Sequence, residues 1–331
     1  MRRLDAGGDK PATPRGLRRA ACLAFAACLA GLLAAFSGHP ASAQGSVQMP
    51  GQTPQWAPYL RVPVLYATNR NRLNSAGPRS SFGELASQEV TLGMALVHVP
   101  SAHRIGQLEL PSFSILERRL RMPRLPRHPD REFGLETVAV LSSAEFYERA
   151  APPANGGRRL LYVPSRTGEF NEDVQRTAQI AYDLSYGAPI VMFSWPASGA
   201  LSAYIRDRDM ALRSTQHVAE LLRELLVPAR DGLDIIAFGQ GAVPLLRAVT
   251  DLGLTGKGPA SPIKNIVLVI PDIGVDEFTI SVAPRLAAMG IRVTVYAVPD
   301  HLEMRAAAVI STLPRLGGAP AGSVTTTGFD L

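Results

Sequence analysis

Short apolar runs alternate with helical patterns along most of the 331 residues. Eight runs are candidate strands: Val62–Ala67, Thr91–Val99, Thr137–Leu141, Leu160–Val163, Ile190–Trp195, Leu233–Phe238, Asn265–Ile270 and Ile291–Val298. Runs such as IIAF and IVLVI are continuously apolar, which is typical of parallel strands covered on both faces. Between them, helical periodicity appears at Val174–Leu184, Val218–Leu226 and Gly241–Leu252. This alternation predicts a doubly wound, mostly parallel sheet, preceded by a β-rich N-terminal extension.

The N-terminus has the three parts of a secretory signal peptide. Basic residues precede the uncharged apolar stretch Ala20–Phe36, and Ala41-Ser42-Ala43 then offers a small-x-small cleavage site. We therefore expect a signal peptide over residues 1–43 and export to the periplasm. The apolar run of 17 residues is at the lower limit for a membrane-spanning helix, so an uncleaved inner-membrane anchor facing the periplasm is the alternative.

Composition limits the function of the remaining chain. Residues 44–60 are rich in Gln, Pro and Gly and are interpreted as a linker, and residues 61–331 as one domain. Six of the 34 basic and two of the 28 acidic residues fall before residue 44. The rest is nearly neutral, which argues against nucleic-acid binding.

The sequence offers no sign of a cofactor or a metal site. Both cysteines, Cys22 and Cys28, lie inside the predicted signal peptide, so the mature chain would have neither a disulfide nor a thiol nucleophile. His98 and His103 have no further ligands at metal-site spacing. We therefore predict neither group.

Four stretches resemble a family of bacterial α/β-hydrolase-fold proteins, described as esterase/lipase-like and of poorly defined function. They are VPVLYATNR (Val62–Arg70), HRIGQLELP (His103–Pro111), QRTAQIAYDL with FSWPASGALSAYIRDRDMA (Gln175–Leu184 and Phe193–Ala211), and VLVIPDIGVDEF with VYAVPDHLEMR (Val267–Phe278 and Val295–Arg305). The resemblance covers most of the predicted mature chain. It implies the α/β-hydrolase fold and, for an intact member, ester hydrolysis.

The resemblance places a nucleophile elbow after the strand LDIIA. A hydrolase of this fold needs a serine on a sharp strand-to-helix turn, with the next backbone N–H facing the developing oxyanion. The family's elbow is similar to A-H-S-M-G-N, whereas this chain has Ala237-Phe238-Gly239-Gln240-Gly241-Ala242. Gly239 therefore stands at the nucleophile position and Gln240 at that of the oxyanion N–H. Glycine keeps the turn but has no side chain to attack a carbonyl.

The other catalytic elements also depart from the family pattern. The family carries His-Gly after the strand corresponding to LLYV, where this chain has Pro164-Ser165-Arg166-Thr167-Gly168, and proline has no N–H to donate. Asp300 fits the triad acid, with Asp272 as the alternative. No histidine follows His301, so we expect an empty base position and a C-terminus truncated relative to the family.

These departures predict a catalytically inactive member with a binding or scaffolding role. The expected cleft comprises Ser165, Arg166, Ser194, Trp195, Phe238, Gly239 and Gln240, with an unknown small ligand or protein partner. One alternative is an active ester hydrolase whose nucleophile is Ser165, Thr167 or Ser194. Another is an envelope structural protein anchored through residues 20–36.

Overall fold

The computed structural model describes residues 59–73, 81–110, 128–152, 157–166, 168–227, 232–252, 261–299, 301–320, 322, 324–326 and 329–330. The predicted signal peptide, almost all of the predicted linker, Thr167 and Asp300 lie outside the described residues. No helix in the described ranges is long and apolar enough to cross a membrane.

The described residues contain one large sheet whose strands coincide with the eight predicted runs. The strands are β1 Tyr59–Arg72, β2 Phe82–Pro100, β3 Gly134–Val140, β4 Arg159–Val163, β5 Ile190–Ser194, β6 Leu233–Phe238, β7 Ile263–Val269 and β8 Arg292–Tyr296. A separate short hairpin pairs β9 Thr325–Thr326 with β10 Phe329–Asp330.

The helices fall mainly between the parallel strands. They are α1 Ser143–Arg149, α2 Phe170–Asp183, α3 Tyr204–Arg213, α4 Thr215–Leu226, α5 Ala242–Asp251, α6 Ala283–Ala288 and α7 Leu302–Ser311, and a π-helical segment, Glu277–Val282, leads into α6. The three sequence stretches with helical periodicity fall on α2, α4 and α5.

The strand order in the sheet is β3-β2-β1-β5-β4-β6-β7-β8. β1, β2 and β3 pair antiparallel and form the predicted β-rich extension, while β1, β5, β4, β6, β7 and β8 are parallel. The carboxyl ends of β4, β6 and β7 therefore meet at one edge, which is where ligands bind in open α/β sheets.

Two apolar cores lie on opposite faces of the sheet. Leu161 and Val163 of β4 enter one cluster with α4, α5 and α6, whereas Leu160 and Tyr162 enter the other with α2. Both faces of the strand are thus buried, which explains why the sequence runs are continuously apolar and not alternating. The predicted α/β fold with a mostly parallel sheet is confirmed.

A buried polar group joins the antiparallel extension to the parallel sheet. Arg70 Nε donates to Ser194 Oγ (2.9 Å), and Ser194 Oγ donates to Asp173 Oδ2 (2.7 Å). Arg70 Nη2 lies 3.5 Å from the same Asp173 oxygen, with both side chains at most 1% exposed. The group therefore links β1, β5 and α2 below the edge where the elbow lies.

Candidate functional site

The turn between β6 and α5 is made by a residue in the left-handed backbone conformation. Phe238 ends the strand in an extended conformation, and Gly239 has φ +53° at the start of the short 3₁₀ turn Gly239–Gly241. L-residues with a Cβ pay about 1–2 kcal/mol in this region, which glycine avoids. Strand, sharp turn and helix follow one another as in a nucleophile elbow.

Ser165 occupies the space into which a side chain at Gly239 would project. A Cβ built on Gly239 would lie 2.9 Å from Ser165 Cβ and would come closer still to Ser165 Oγ. Ser165 belongs to the loop after β4, so a different chain segment fills the nucleophile's place. Within the described part of the chain, the Ser165 hydroxyl makes no hydrogen bond that would activate it as a nucleophile.

The elbow also packs against the backbone that follows β4. A Cβ on Gly241 would contact the Pro164 carbonyl oxygen and would lie 2.7 Å from the Val163 carbonyl oxygen, so only glycine permits this approach. Trp195 Nε1 donates to the Pro164 carbonyl (2.9 Å). Pro164 is therefore held in place through its carbonyl, although it has no N–H for an oxyanion.

Gln240 has a buried side chain with unmet hydrogen-bonding capacity. The residue is 1% exposed, and neither its Oε1 nor its Nε2 has a hydrogen-bond partner among the described residues. Such groups are rare in native structures, because each unsatisfied buried polar group costs about 1–3 kcal/mol. The elbow therefore contains a buried amide whose hydrogen-bonding capacity is not used by the described residues.

Arg166 connects the loop after β4 to the segment that leads into α3. Its Nη1 donates to the Ala200 carbonyl (2.8 Å) and lies 3.6 Å from Asp207 Oδ2. Its guanidinium carbon lies 5.7 Å from the centre of the Tyr204 ring. Asp207 in turn accepts from the backbone N–H groups of Ser198 (3.0 Å) and Gly199 (3.2 Å). This buried pair fixes the loop after β4, next to Ser165, against the segment that leads into α3.

Asp272, the alternative triad acid, lies directly beside the elbow. Its backbone N–H donates to the Gly239 carbonyl (3.0 Å), while its carboxylate accepts from the Tyr204 hydroxyl (3.1 Å). Arg315 Nε lies 3.3 Å from the same carboxylate. Burial and the neighbouring Asp272 raise the pKa of Tyr204 to about 12, so its hydroxyl remains a donor at neutral pH. The Asp272 carboxylate is thus engaged by a tyrosine and an arginine.

Among the described residues, no contact joins a histidine to this set. Asp300 lies outside the described residues, and His301 begins α7 with its backbone N–H donating to the Val298 carbonyl (3.0 Å). Burial lowers the pKa of His301 despite the opposing effect of Glu303, and its Nδ1 atom has no hydrogen-bond partner within the described part of the chain. No hydrogen bond or ion pair connects its ring to Ser165 or to Asp272.

The predicted cleft residues fall into two groups. Ser165, Arg166, Gly239 and Gln240 meet at the carboxyl ends of β4 and β6 around the elbow, and Phe238 leads into it half-buried. Ser194 and Trp195 are at most 1% exposed and lie beneath the cleft, Ser194 in the polar group with Asp173 and Trp195 under Pro164.

A family model matches residues 157–323 and is described as "Alpha/beta hydrolase of unknown function (DUF900)". The chain belongs to this family. The matched range runs from β4 through the elbow to the loop after α7, so the family assignment covers every residue of the site described above. Comparison with curated proteins finds no match, and neither does comparison with solved structures.

The sequence analysis did not identify Tyr204, Asp207 or Arg315 as residues of the site. Asp207 lies in the first turn of α3, is 0% exposed and is paired with Arg166. Arg315 is 43 residues from Asp272 in sequence and meets it only through the fold. No group of three or more His, Cys, Asp or Glu among the described residues is placed to hold a metal ion.

Because Ser165 packs so closely on Gly239, a side chain added at position 239 should destabilise the protein measurably. Gly290→Ala is a matched control, because Gly290 also has positive φ (+69°) but has no atom within 4 Å of a built Cβ. We expect Gly290→Ala to lower the free energy of unfolding by about 1 kcal/mol and Gly239→Ala by about 2 to 4 kcal/mol, since the second also crowds Ser165. Urea denaturation of both variants gives the two values.

The double variant Gly239→Ala/Ser165→Gly isolates the steric part of that cost. The double variant should lose less free energy of unfolding than the two single variants lose together, by about 1 kcal/mol or more, because removing the Ser165 side chain makes room for the new Cβ. Equal costs for Gly239→Ala and Gly290→Ala, or strictly additive single variants, would contradict the close packing of the elbow on Ser165.

Proposed function

We propose that this α/β-hydrolase-fold protein is catalytically inactive and acts by binding a ligand or a protein partner at the cleft around Gly239. The observation that carries the proposal is the elbow itself. The position of the nucleophile has no side chain, and Ser165 fills the space where one would project. A serine nucleophile and its histidine base act as a unit, so losing the serine alone removes most of the triad's contribution.

The same cleft retains features suited to binding. The unpartnered Gln240 amide and the buried guanidinium of Arg166 flank the elbow, and both are at least nine-tenths buried. The ligand would supply the Gln240 amide with the partner that it lacks among the described residues.

Ester hydrolysis through Ser165 is the second candidate, because its hydroxyl lies almost where a nucleophile from Gly239 would lie. This candidate requires a base that removes the Ser165 proton. The described residues supply no hydrogen bond to Ser165, so we favour the inactive interpretation.

Labelling with a fluorophosphonate distinguishes the two candidates. This probe reacts with serines that are activated as nucleophiles, and we expect no covalent adduct on the purified protein after incubation beside an active serine esterase as positive control. Intact-mass spectrometry detects the adduct. An adduct that maps to Ser165 and disappears in Ser165→Ala would show a working hydrolase and refute the proposal.

We also propose that the protein is exported to the periplasm by its N-terminal signal segment. The support is the basic, apolar and small-x-small pattern of residues 1–43. Intact-mass analysis of the protein from a periplasmic fraction should give a chain that starts at Gln44. A full-length chain recovered with the membrane fraction would instead support the uncleaved anchor.

A further inference from the structure

A buried histidine connects the loop after β2, residues 101–109, to the C-terminal end of α2. The His103 side chain is 2% exposed, and its Nδ1 atom lies 2.8 Å from Glu109 Oε2 in the same loop. Its Nε2 atom lies 2.6 Å from Oδ1 of Asp183, the last residue of α2. Both nitrogens of one imidazole ring therefore meet a carboxylate. None of these three residues belongs to the site around Gly239.

This geometry requires a protonated ring. A neutral imidazole has one N–H donor and one acceptor nitrogen, whereas an imidazolium has two donors. Between two ionised carboxylates, a neutral ring would place a nitrogen lone pair against a carboxylate oxygen at hydrogen-bond distance. Burial lowers the pKa of His103, but the hydrogen bonds and charges of Asp183 and Glu109 outweigh burial and raise the pKa to about 9. The ring is therefore a cation at neutral pH.

The imidazolium also compensates an unfavourable position of the Asp183 carboxylate. The C-terminus of a helix has a partial negative charge, so a carboxylate there is destabilised unless a cation lies beside it. The last turn of α2 contains no basic residue. His103 supplies the cation from the loop after β2, so the contact stabilises both the loop and the end of the helix.

The same two carboxylates hold the backbone of the loop. The Gly106 N–H donates to Asp183 Oδ2 (2.9 Å), and the Arg104 N–H donates to Glu109 Oε1 (3.0 Å). Each carboxylate thus contacts the histidine with one oxygen and the loop backbone with the other. When the ring loses its proton, the two negative charges lose the cation between them and repel one another. The backbone contacts of the loop then weaken together with the contact to His103.

Among the described residues, Glu109 and Asp183 are the charged groups that face the ring. The ring also contacts the side chains of Phe133, which precedes β3, and Tyr182 of α2, at centroid distances of 5.1 and 5.4 Å. Across the described ranges, no other cation forms an ion pair with either carboxylate. The charge of the cluster therefore depends on the proton of His103.

We propose that His103 is a pH-sensitive latch, whose imidazolium fastens the loop 101–109 to α2 at neutral pH and whose deprotonation in alkaline solution releases the loop. The pKa in the folded protein lies above the ordinary value of 6.5. The stabilisation is therefore complete below about pH 6.5 and is lost as the pH rises through about 9. The proposal does not depend on the elbow being inactive, because the latch and the elbow share no residue.

An NMR titration of the histidine rings in the purified protein tests the protonation state directly. Ring nitrogen chemical shifts distinguish an imidazolium from a neutral ring, and the signal that is absent from His103→Gln assigns the residue. We expect His103 to be doubly protonated at pH 7.5 and to titrate near pH 9. A ring that is neutral at pH 7.5 would overturn the proposal.

Two glutamate variants show whether the carboxylates hold the proton. Glu109→Gln removes one charge and should lower the midpoint of the His103 titration by about one pH unit or more. Glu136→Gln is the matched control, because its side chain is 23% exposed against 22% for Glu109 and pairs with Arg61 instead. It should leave the midpoint unchanged. Thermal melting shows that both variants keep the fold, and a midpoint that Glu109→Gln does not move would contradict the latch.

Hydrogen exchange measures the release of the loop. Protection factors of the loop amides, corrected for the intrinsic effect of pH on exchange, should fall at least about tenfold between pH 7 and pH 10. Amides of α1 are the control, since Phe146 of this helix packs in the core on the other face of the sheet from Phe133. In His103→Gln the loop should be weakly protected at both pH values. Unchanged loop protection at pH 10, or an equal loss in α1, would overturn the proposal.

Discussion

The structure around the site depends on how closely the elbow packs against the end of β4. The left-handed turn at Gly239 lets the chain pass from β6 to α5 in a single short turn, and Gly241 lets the backbone approach Pro164 and Val163. Ser165 then fits against Gly239 only because Gly239 has no Cβ. The glycine that permits the turn therefore leaves this position without a side chain and makes room for Ser165.

Polar contacts connect this elbow to other loops along the carboxyl edge of the sheet. The Gly239 carbonyl accepts from Asp272, and Asp272 is held by Tyr204 and Arg315. Tyr204 also lies beneath Arg166, so the loops after β4, β6 and β7 are joined through a few side chains. In a working triad a carboxylate orients a histidine. Here the carboxylate beside the elbow stabilises the arrangement of loops.

The sequence predicted the sheet well because buried parallel strands have continuous apolar runs, and all eight runs fall on strands. It also predicted the glycine at the turn, since that inference needs only the residues next to one strand. It could not predict the contact of Ser165 with Gly239 or the pairing of Arg315 with Asp272. Both contacts depend on how loops from distant parts of the chain pack together, which local pattern does not encode.

Ester turnover by the purified wild type and by Gly239→Ser, measured with nitrophenyl butyrate, tests the central claim most directly. The account predicts that both hydrolyse the ester no faster than heat-denatured protein, because Gly239 supplies no nucleophile and no histidine among the described residues contacts the elbow to activate a restored serine. Turnover by the wild type would contradict the inactive site. Turnover by Gly239→Ser alone would show that a base is present and that only the nucleophile has been lost.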